Sequence, residues 1–206
     1  PDEISDEIGS ILDPFGNAIH ASLSFDLVGE DVLVTGAGPI GIMSAAIAKF
    51  VGARKVLLTD INDGRLELAQ KVCQVEVLNP TKEDIKNKMR DMGLKEGFDV
   101  GLEMSGSEQA IDQMIDSMIM GGNVALLGLP ADVIKLDLSK VIFKALNLKA
   151  IYGREIFETW YKGMALLKSG LDIEKVITHK FHYTDFEQAF ELLNSGKAGK
   201  VVLSWD

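Results

Sequence analysis

An α/β fold with a doubly wound parallel sheet is predicted by three observations. Short apolar runs alternate with helix-length amphipathic segments along most of the 206 residues. The run Val32-Leu33-Val34-Thr35 feeds the turn Gly36-Ala37-Gly38-Pro39-Ile40-Gly41 and then a helical stretch. Asp60 closes the next apolar run, Lys55-Val56-Leu57-Leu58-Thr59, roughly 20 residues past the glycines.

Taken in order, residues 6–25 carry apolar side chains at Ile8, Ile11, Leu12, Phe15, Ile19 and Leu23, a helical stripe running through Pro14 and Gly16. Strands are predicted at 31–35, 55–59, 75–78, 99–103, 123–127 and 147–152, and helices at 39–51, 63–72, 82–92, 107–120 and 139–144. The strands lack strict alternation, as expected when both faces of a parallel sheet are covered. Turn chemistry punctuates them: Asn62-Asp63-Gly64 opens a helix, Asn79-Pro80 and Gly121-Gly122 stop elements, and Ser105-Gly106-Ser107 supplies an N-cap. Helical periodicity returns at Phe157, Trp160, Tyr161, Met164 and Leu167, followed by a strand at 178–183, a helix at 185–194 and a strand at 200–204. This tail reads as a separate unit docked after the sixth strand.

The glycine turn has a chemical reading. Gly36 permits the tight turn off the strand, Gly38 lets backbone amides approach a pyrophosphate, and Gly41 lets helix and strand pack closely. The helix N-terminus offers unpaired amides and partial positive charge, and Pro39 at its first turn needs no N–H partner. Asp60 at the end of the second strand suits the two hydroxyls of an adenosine ribose. It also repels a 2′-phosphate, a like-charge contact worth on the order of several kcal/mol, so NAD is favoured over NADP. A glycine-rich loop alone leaves a plain βα turn open. Strand before, helix after and acid at the next strand end together point to the Rossmann dinucleotide grip. An S-adenosylmethionine enzyme shares the loop and the acid, but Gly41 and the sixth strand disfavour it.

Composition narrows the remaining classes. The chain is 47% hydrophobic and 25% charged, ordinary for a globular protein. Its net charge of −10, with no lysine or arginine block, argues against nucleic acid or an anionic membrane as partner. No apolar run approaches the roughly 18 residues that cross a bilayer, and no signal-peptide pattern opens the sequence, so a cytoplasmic protein is expected. Cys73 is the single cysteine, which rules out an internal disulfide or a cysteine-rich zinc site within this chain and reads as a small buried residue.

Three stretches, Gly36–Gly41, Asp13-Pro14-Phe15-Gly16-Asn17-Ala18 and Ile151-Tyr152-Gly153-Arg154-Glu155, together resemble the zinc-dependent medium-chain alcohol dehydrogenases, specifically their threonine-oxidising branch. The resemblance runs through the closing Ser195–Trp205 stretch. It implies oxidation of L-threonine to 2-amino-3-oxobutanoate by hydride transfer to NAD, with a catalytic zinc as Lewis acid. By the same resemblance Ile40, Asp60 and Arg65 bind the pyrophosphate and adenosine ribose. Leu127, Gly128, Leu129, Ile151 and Tyr152 line the nicotinamide end through backbone groups, although Leu127, Leu129 and Ile151 equally read as strand core. Arg65 can pair with Asp60, pack along the adenine, or be a plain surface arginine.

Asp13 matches the family residue beside the catalytic zinc that serves the proton relay without being a permanent ligand. Read from the residues alone, it is a helix N-cap or first-turn acid before Pro14. His20, His179 and His182 are too isolated to nominate, and Glu103 reads as a hydrogen-bonded pocket residue. The zinc ligands of the family belong to an amino-terminal domain that this sequence does not contain, so no metal ligand is assigned here. The resemblance therefore divides the chain into a linker to that catalytic domain (1–11), an NAD-binding domain (12–156) and a segment returning to the catalytic domain (157–206). The chain is expected to bind NAD without turning over threonine. Another medium-chain polyol or alcohol dehydrogenase, or a noncatalytic NAD-binding module, stays open. The sixth strand, as a sheet edge, predicts a homo-oligomer, a dimer or tetramer.

Overall fold

The computed structural model describes residues 3–205. In chain order its elements are α1 (Asp6–Ser10), α2 (Leu12–Ser22), β1 (Asp31–Thr35), α3 (Pro39–Val51), β2 (Lys55–Thr59), α4 (Asp63–Cys73), β3 (Glu76–Leu78), α5 (Ile85–Asp91), β4 (Phe98–Glu103), α6 (Glu108–Ser117), β5 (Met118–Leu126), α7 (Leu138–Phe143), β6 (Asn147–Ala150), α8 (Glu158–Lys168), β7 (Ile177–His182), α9 (Phe186–Asn194) and β8 (Lys200–Ser204). The first six strands form one parallel sheet in the order β3-β2-β1-β4-β5-β6, the doubly wound sheet that the sequence predicts. Strand order reverses between β1 and β4, and chains leaving those two strands diverge to open a crevice at their carboxyl ends.

Alternating residues of the central strands feed two cores. Val32 and Val34 of β1, Val56 and Leu58 of β2 and Val100 and Leu102 of β4 join Phe15 and Ile19 of α2 and Ile42, Met43 and Ile47 of α3. Leu33, Leu57 and Val124 point the other way, onto Ile85 of α5 and Met114 of α6. Covering on both faces is why these strands are apolar throughout. Removing a large side chain from such a core, Phe15→Ala for example, costs about 3–5 kcal/mol.

Several boundaries differ from the sequence prediction. The expected continuous helix over 6–25 is two helices that break at Ile11 (φ −107°, ψ 9°) rather than at Pro14. Pro14 is the third residue of α2, where a backbone N–H has no helical partner to lose. Helix α5 starts at Ile85, later than expected, because Asn79 holds a turn: its carbonyl accepts from the amides of Lys82 and Glu83, and its side chain from that of Thr81. Gly121 and Gly122 do not stop an element. Helix α6 ends at Ser117, and the glycines lie within β5, where the pairing slips between Phe98↔Met118 and Val100↔Asn123 and the extra residues bulge out. Strand β6 ends at Ala150, although the Ile151 amide still donates to the Leu126 carbonyl (2.8 Å).

The tail carries a second, two-stranded sheet, while its Leu171, Ile173 and Val176 join the first core. Parallel strands β7 and β8 pair separately from the main sheet, and α8 packs on α2 with Gly163 against Ile19 and Phe15. Phe186 and Phe190 of α9 are exposed, as is Trp205, which stacks on Tyr183. Among the described residues no helix is long and apolar enough to cross a membrane.

Candidate functional site

The glycine turn lies at the strand-order reversal. Thr35 ends β1, and Gly36 turns with φ +92°, its amide donating to the Thr59 carbonyl (2.8 Å). That φ, and the Ser105 backbone 2.9 Å from where a Cβ would stand, exclude any other residue at Gly36 without strain. A Cβ on Gly41 would land inside the Gly36 carbonyl oxygen, so the first turn of α3 presses directly on the loop. Gly38 differs: it is the N-cap of α3 with ordinary dihedrals (φ −67°, ψ 171°), and a Cβ there would meet nothing within 4 Å. No side chain caps this helix, and Pro39 occupies its first turn. The positive end of α3 therefore faces open space.

Asp60, 9% exposed, reaches across from the end of β2. Its Oδ2 accepts from the Ala37 amide (2.7 Å) and its Oδ1 from the Asn62 amide (2.8 Å). One carboxylate thus ties the glycine turn to the start of α4. Arg65 Nη1 stands 3.9 Å from Asp60 Oδ2, and its side chain stays partly exposed in the cleft. Asn62 caps α4 by accepting from the Arg65 amide (3.3 Å), as the turn chemistry predicts, and its Nδ2 donates to the Gly196 carbonyl (3.3 Å) of the tail.

Gly36, Gly38, Asp60 and Arg65 share a cleft of about 640 Å³. Its opposite wall comes from Met104, Ser105, Ser107, Gln109 and Gln113, with Thr81 closing one end. This wall is not marked in the sequence, where Ser105 and Ser107 read as an N-cap and Gln109 and Gln113 as the polar face of a helix. Glu103 explains its shape. The carboxylate is 1% exposed and accepts from the Ser105 amide (2.8 Å), the Gly106 amide (3.1 Å), the Ser105 hydroxyl and the Thr35 hydroxyl (3.3 Å). It clamps the ends of β1 and β4 together, hydrogen-bonded as expected but outside the cleft lining.

The remaining nominated residues extend along the same sheet edge. The amides of Leu127 and Gly128 donate to the Glu103 carbonyl (3.0 Å each), and Gly128 sits against the Gly106 amide with no room for a Cβ. Leu129 is 87% and Tyr152 95% exposed, so neither is strand core, whereas Ile151 is buried. Asp13 is a first-turn acid of α2, ion-paired with Arg154. His20, seven residues on, donates through Nδ1 to the Gly153 carbonyl (2.9 Å), while its Nε2 lies 3.7 Å from Glu155. The two stretches that carry the finer resemblance therefore touch each other, a contact that linear sequence could not reveal.

Cys73 is buried, and burial pushes its thiol up to about 11, so it is a structural residue and not a nucleophile. Among the described residues no three or more His, Cys, Asp or Glu side chains are grouped so as to hold a metal ion.

The sequence profile of the zinc-binding dehydrogenases matches residues 39–169. The L-threonine 3-dehydrogenase of Shewanella baltica is 59% identical over all 206 residues, and this chain spans 60% of that relative's length. Among solved structures, 2R,3R-butanediol dehydrogenase from Bacillus subtilis is similar with a TM-score of 0.90 at 24% identity, over 100% of this chain and 60% of that one. A short chain alcohol dehydrogenase from E. coli complexed with the cofactor NADH is similar with a TM-score of 0.88 at 20% identity, over 100% and 61% respectively. At these identities the two structures speak to the fold.

Proposed function

The chain belongs to the zinc-binding dehydrogenase family, and from that premise we propose that it is the NAD-binding portion of an L-threonine 3-dehydrogenase. The observation that carries this reading is the convergence on one cleft of an uncapped helix N-terminus, an unobstructed Gly38 and the buried carboxylate of Asp60. In the proposed complex Gly36, Gly38, Pro39, Ile40 and Gly41 form the pyrophosphate cradle, with α3 directing its positive end at the phosphates. Asp60 has lone pairs left for the ribose hydroxyls beyond the two amides it already accepts, and Arg65 flanks it. Leu127, Gly128, Leu129, Ile151 and Tyr152 line the nicotinamide end. When bound, NAD supplies the hydride acceptor.

Asp13 is proposed to serve the proton relay, on the family resemblance and its ion pair with Arg154. Zinc does not fit the residues described, which gather no ligand set. L-threonine as substrate, the cytoplasm as location and the division into 1–11, 12–156 and 157–206 belong to the same reading. Assembly through the exposed edge of β6 belongs to it as well, since that strand is last in the sheet order and most of its residues are exposed.

Titration calorimetry of the purified chain tests the cofactor assignment. One saturable NAD site is expected, with NADP weaker by at least about tenfold because Asp60 opposes the extra phosphate. A chain that binds neither nucleotide would refute the assignment.

A further inference from the structure

Residues Asp13, Gly16 and His20 lie on one face of α2, and all three meet residues 153–155, which directly follow Ile151 and Tyr152. The Arg154 guanidinium is the centre of this contact. It pairs with Asp13 and lies 5.3 Å over the Trp160 ring of α8. The stem crosses α2 at Gly16, where its Cδ stands 3.0 Å from the position of an added Cβ, so a larger residue there would displace it. His20 fixes the preceding residue through the Gly153 carbonyl. Past β6 the backbone leaves the sheet after a single hydrogen bond from Ile151, so these contacts with α2 and α8 are what hold the exposed Tyr152 segment in place.

We propose that Arg154 is a positioning residue: it anchors residues 151–155 to α2, and so sets the backbone at the nicotinamide end of the cleft and the direction of the Asp13 carboxylate. The proposal rests on the NAD reading above and adds to it the element that shapes the nicotinamide end. The adenosine end, built from Asp60, Arg65 and the glycine turn, shares no contact with Arg154 and does not depend on it.

That separation supplies the test. NADH and ADP-ribose share the adenosine and pyrophosphate, and NADH alone carries the nicotinamide. Affinities for both are measured by calorimetry on the chain and on Arg154→Ala, Arg154→Lys and Asp13→Asn, with a thermal melt of each. Arg154→Ala is expected to weaken NADH by about tenfold and leave ADP-ribose within about twofold. Arg154→Lys is expected to recover part of the loss, since it keeps the charge but not the planar fork or the stacking. Asp13→Asn is expected to reproduce part of the loss, with the double variant no worse than Arg154→Ala alone. Equal losses for both ligands would make Arg154 a plain structural residue, and unchanged NADH affinity would remove its role; either result overturns the proposal. A parent chain that binds neither ligand would instead overturn the cofactor reading, and the positioning role with it.

Discussion

Gly38→Ala separates folding from binding at the centre of the proposed cofactor site. The residue has φ −67° and ψ 171°, dihedrals that alanine adopts freely, and its added methyl would touch nothing within 4 Å. Replacing glycine at a compatible backbone position stabilises by about 0.4–1 kcal/mol, through the unfolded chain, but alanine is a poorer N-cap than glycine and offsets a similar amount. For a protein of this size Tm is therefore expected to stay within about 2 °C of the parent. The same methyl projects into the cleft that Gly38 lines, where a phosphate oxygen must come within about 2.9 Å of the α3 amides to be hydrogen-bonded. Each charge-assisted hydrogen bond lost there is worth about 1.5–3 kcal/mol, so NAD affinity should fall by about tenfold to a hundredfold. Gly41→Ala is the control with the opposite character: its methyl strikes the Gly36 carbonyl, so stability itself should drop, by about 1–3 kcal/mol. Thermal melts and calorimetry on both variants decide. A Gly38→Ala protein that keeps both its stability and full NAD affinity would show that no phosphate rests on this loop.

Other outcomes follow from the same geometry. Asp60→Asn must turn an amide NH2 toward the Ala37 or Asn62 N–H, so it should lose about 1–3 kcal/mol of stability and narrow the preference for NAD over NADP, read by melts and paired titrations. Burial raises the carboxyl of Glu30, helped by repulsion from Asp99. A raised acid is a destabilising charge above its folded-state value, relieved as pH falls through that value toward the unfolded one. Glu30→Gln should therefore melt higher than the parent at neutral pH, with the gap closing under acid; a constant gap would contradict the assignment. Cys73, with its thiol near 11, should resist alkylation at pH 8 in the native protein and react once denatured, as mass spectrometry would register. Light scattering should find a dimer or larger assembly that Leu148→Pro on β6 disrupts, and a concentrated monomer would count against pairing at that edge.

Much of the fold was legible because local and tertiary preferences agree. β1, β2, α3 and β8 fall within the stretches predicted for them, since in each the local residue pattern favours the same structure that packing does. Gly121 and Gly122 misled for the converse reason: they are turn residues locally, but pairing with β4 carries the strand through them as a bulge. The break at Ile11 was missed because an apolar residue in a helical stripe carries no stop signal, whereas Pro14 is tolerated as expected near a helix start. At the site, Gly36, Gly41 and Asp60 were readable because glycines at this spacing between strand and helix, with an acid at the end of the next strand, form a recurring pattern. Met104, Gln109 and Gln113 were not, because nothing in their own neighbourhood marks a cleft wall. The pairing of Asp13 with Arg154 joins residues far apart in sequence, and neither end announces the other.

A titration of isotopically labelled chain with NAD, followed by backbone amide NMR, tests the cofactor assignment most directly. Saturable shifts at Gly36, Gly38, Ile40 and Gly41, with Asp60 and Arg65 following the same isotherm, are expected. Shifts confined to other surfaces, or silent amides in the glycine turn at saturating NAD, would contradict it.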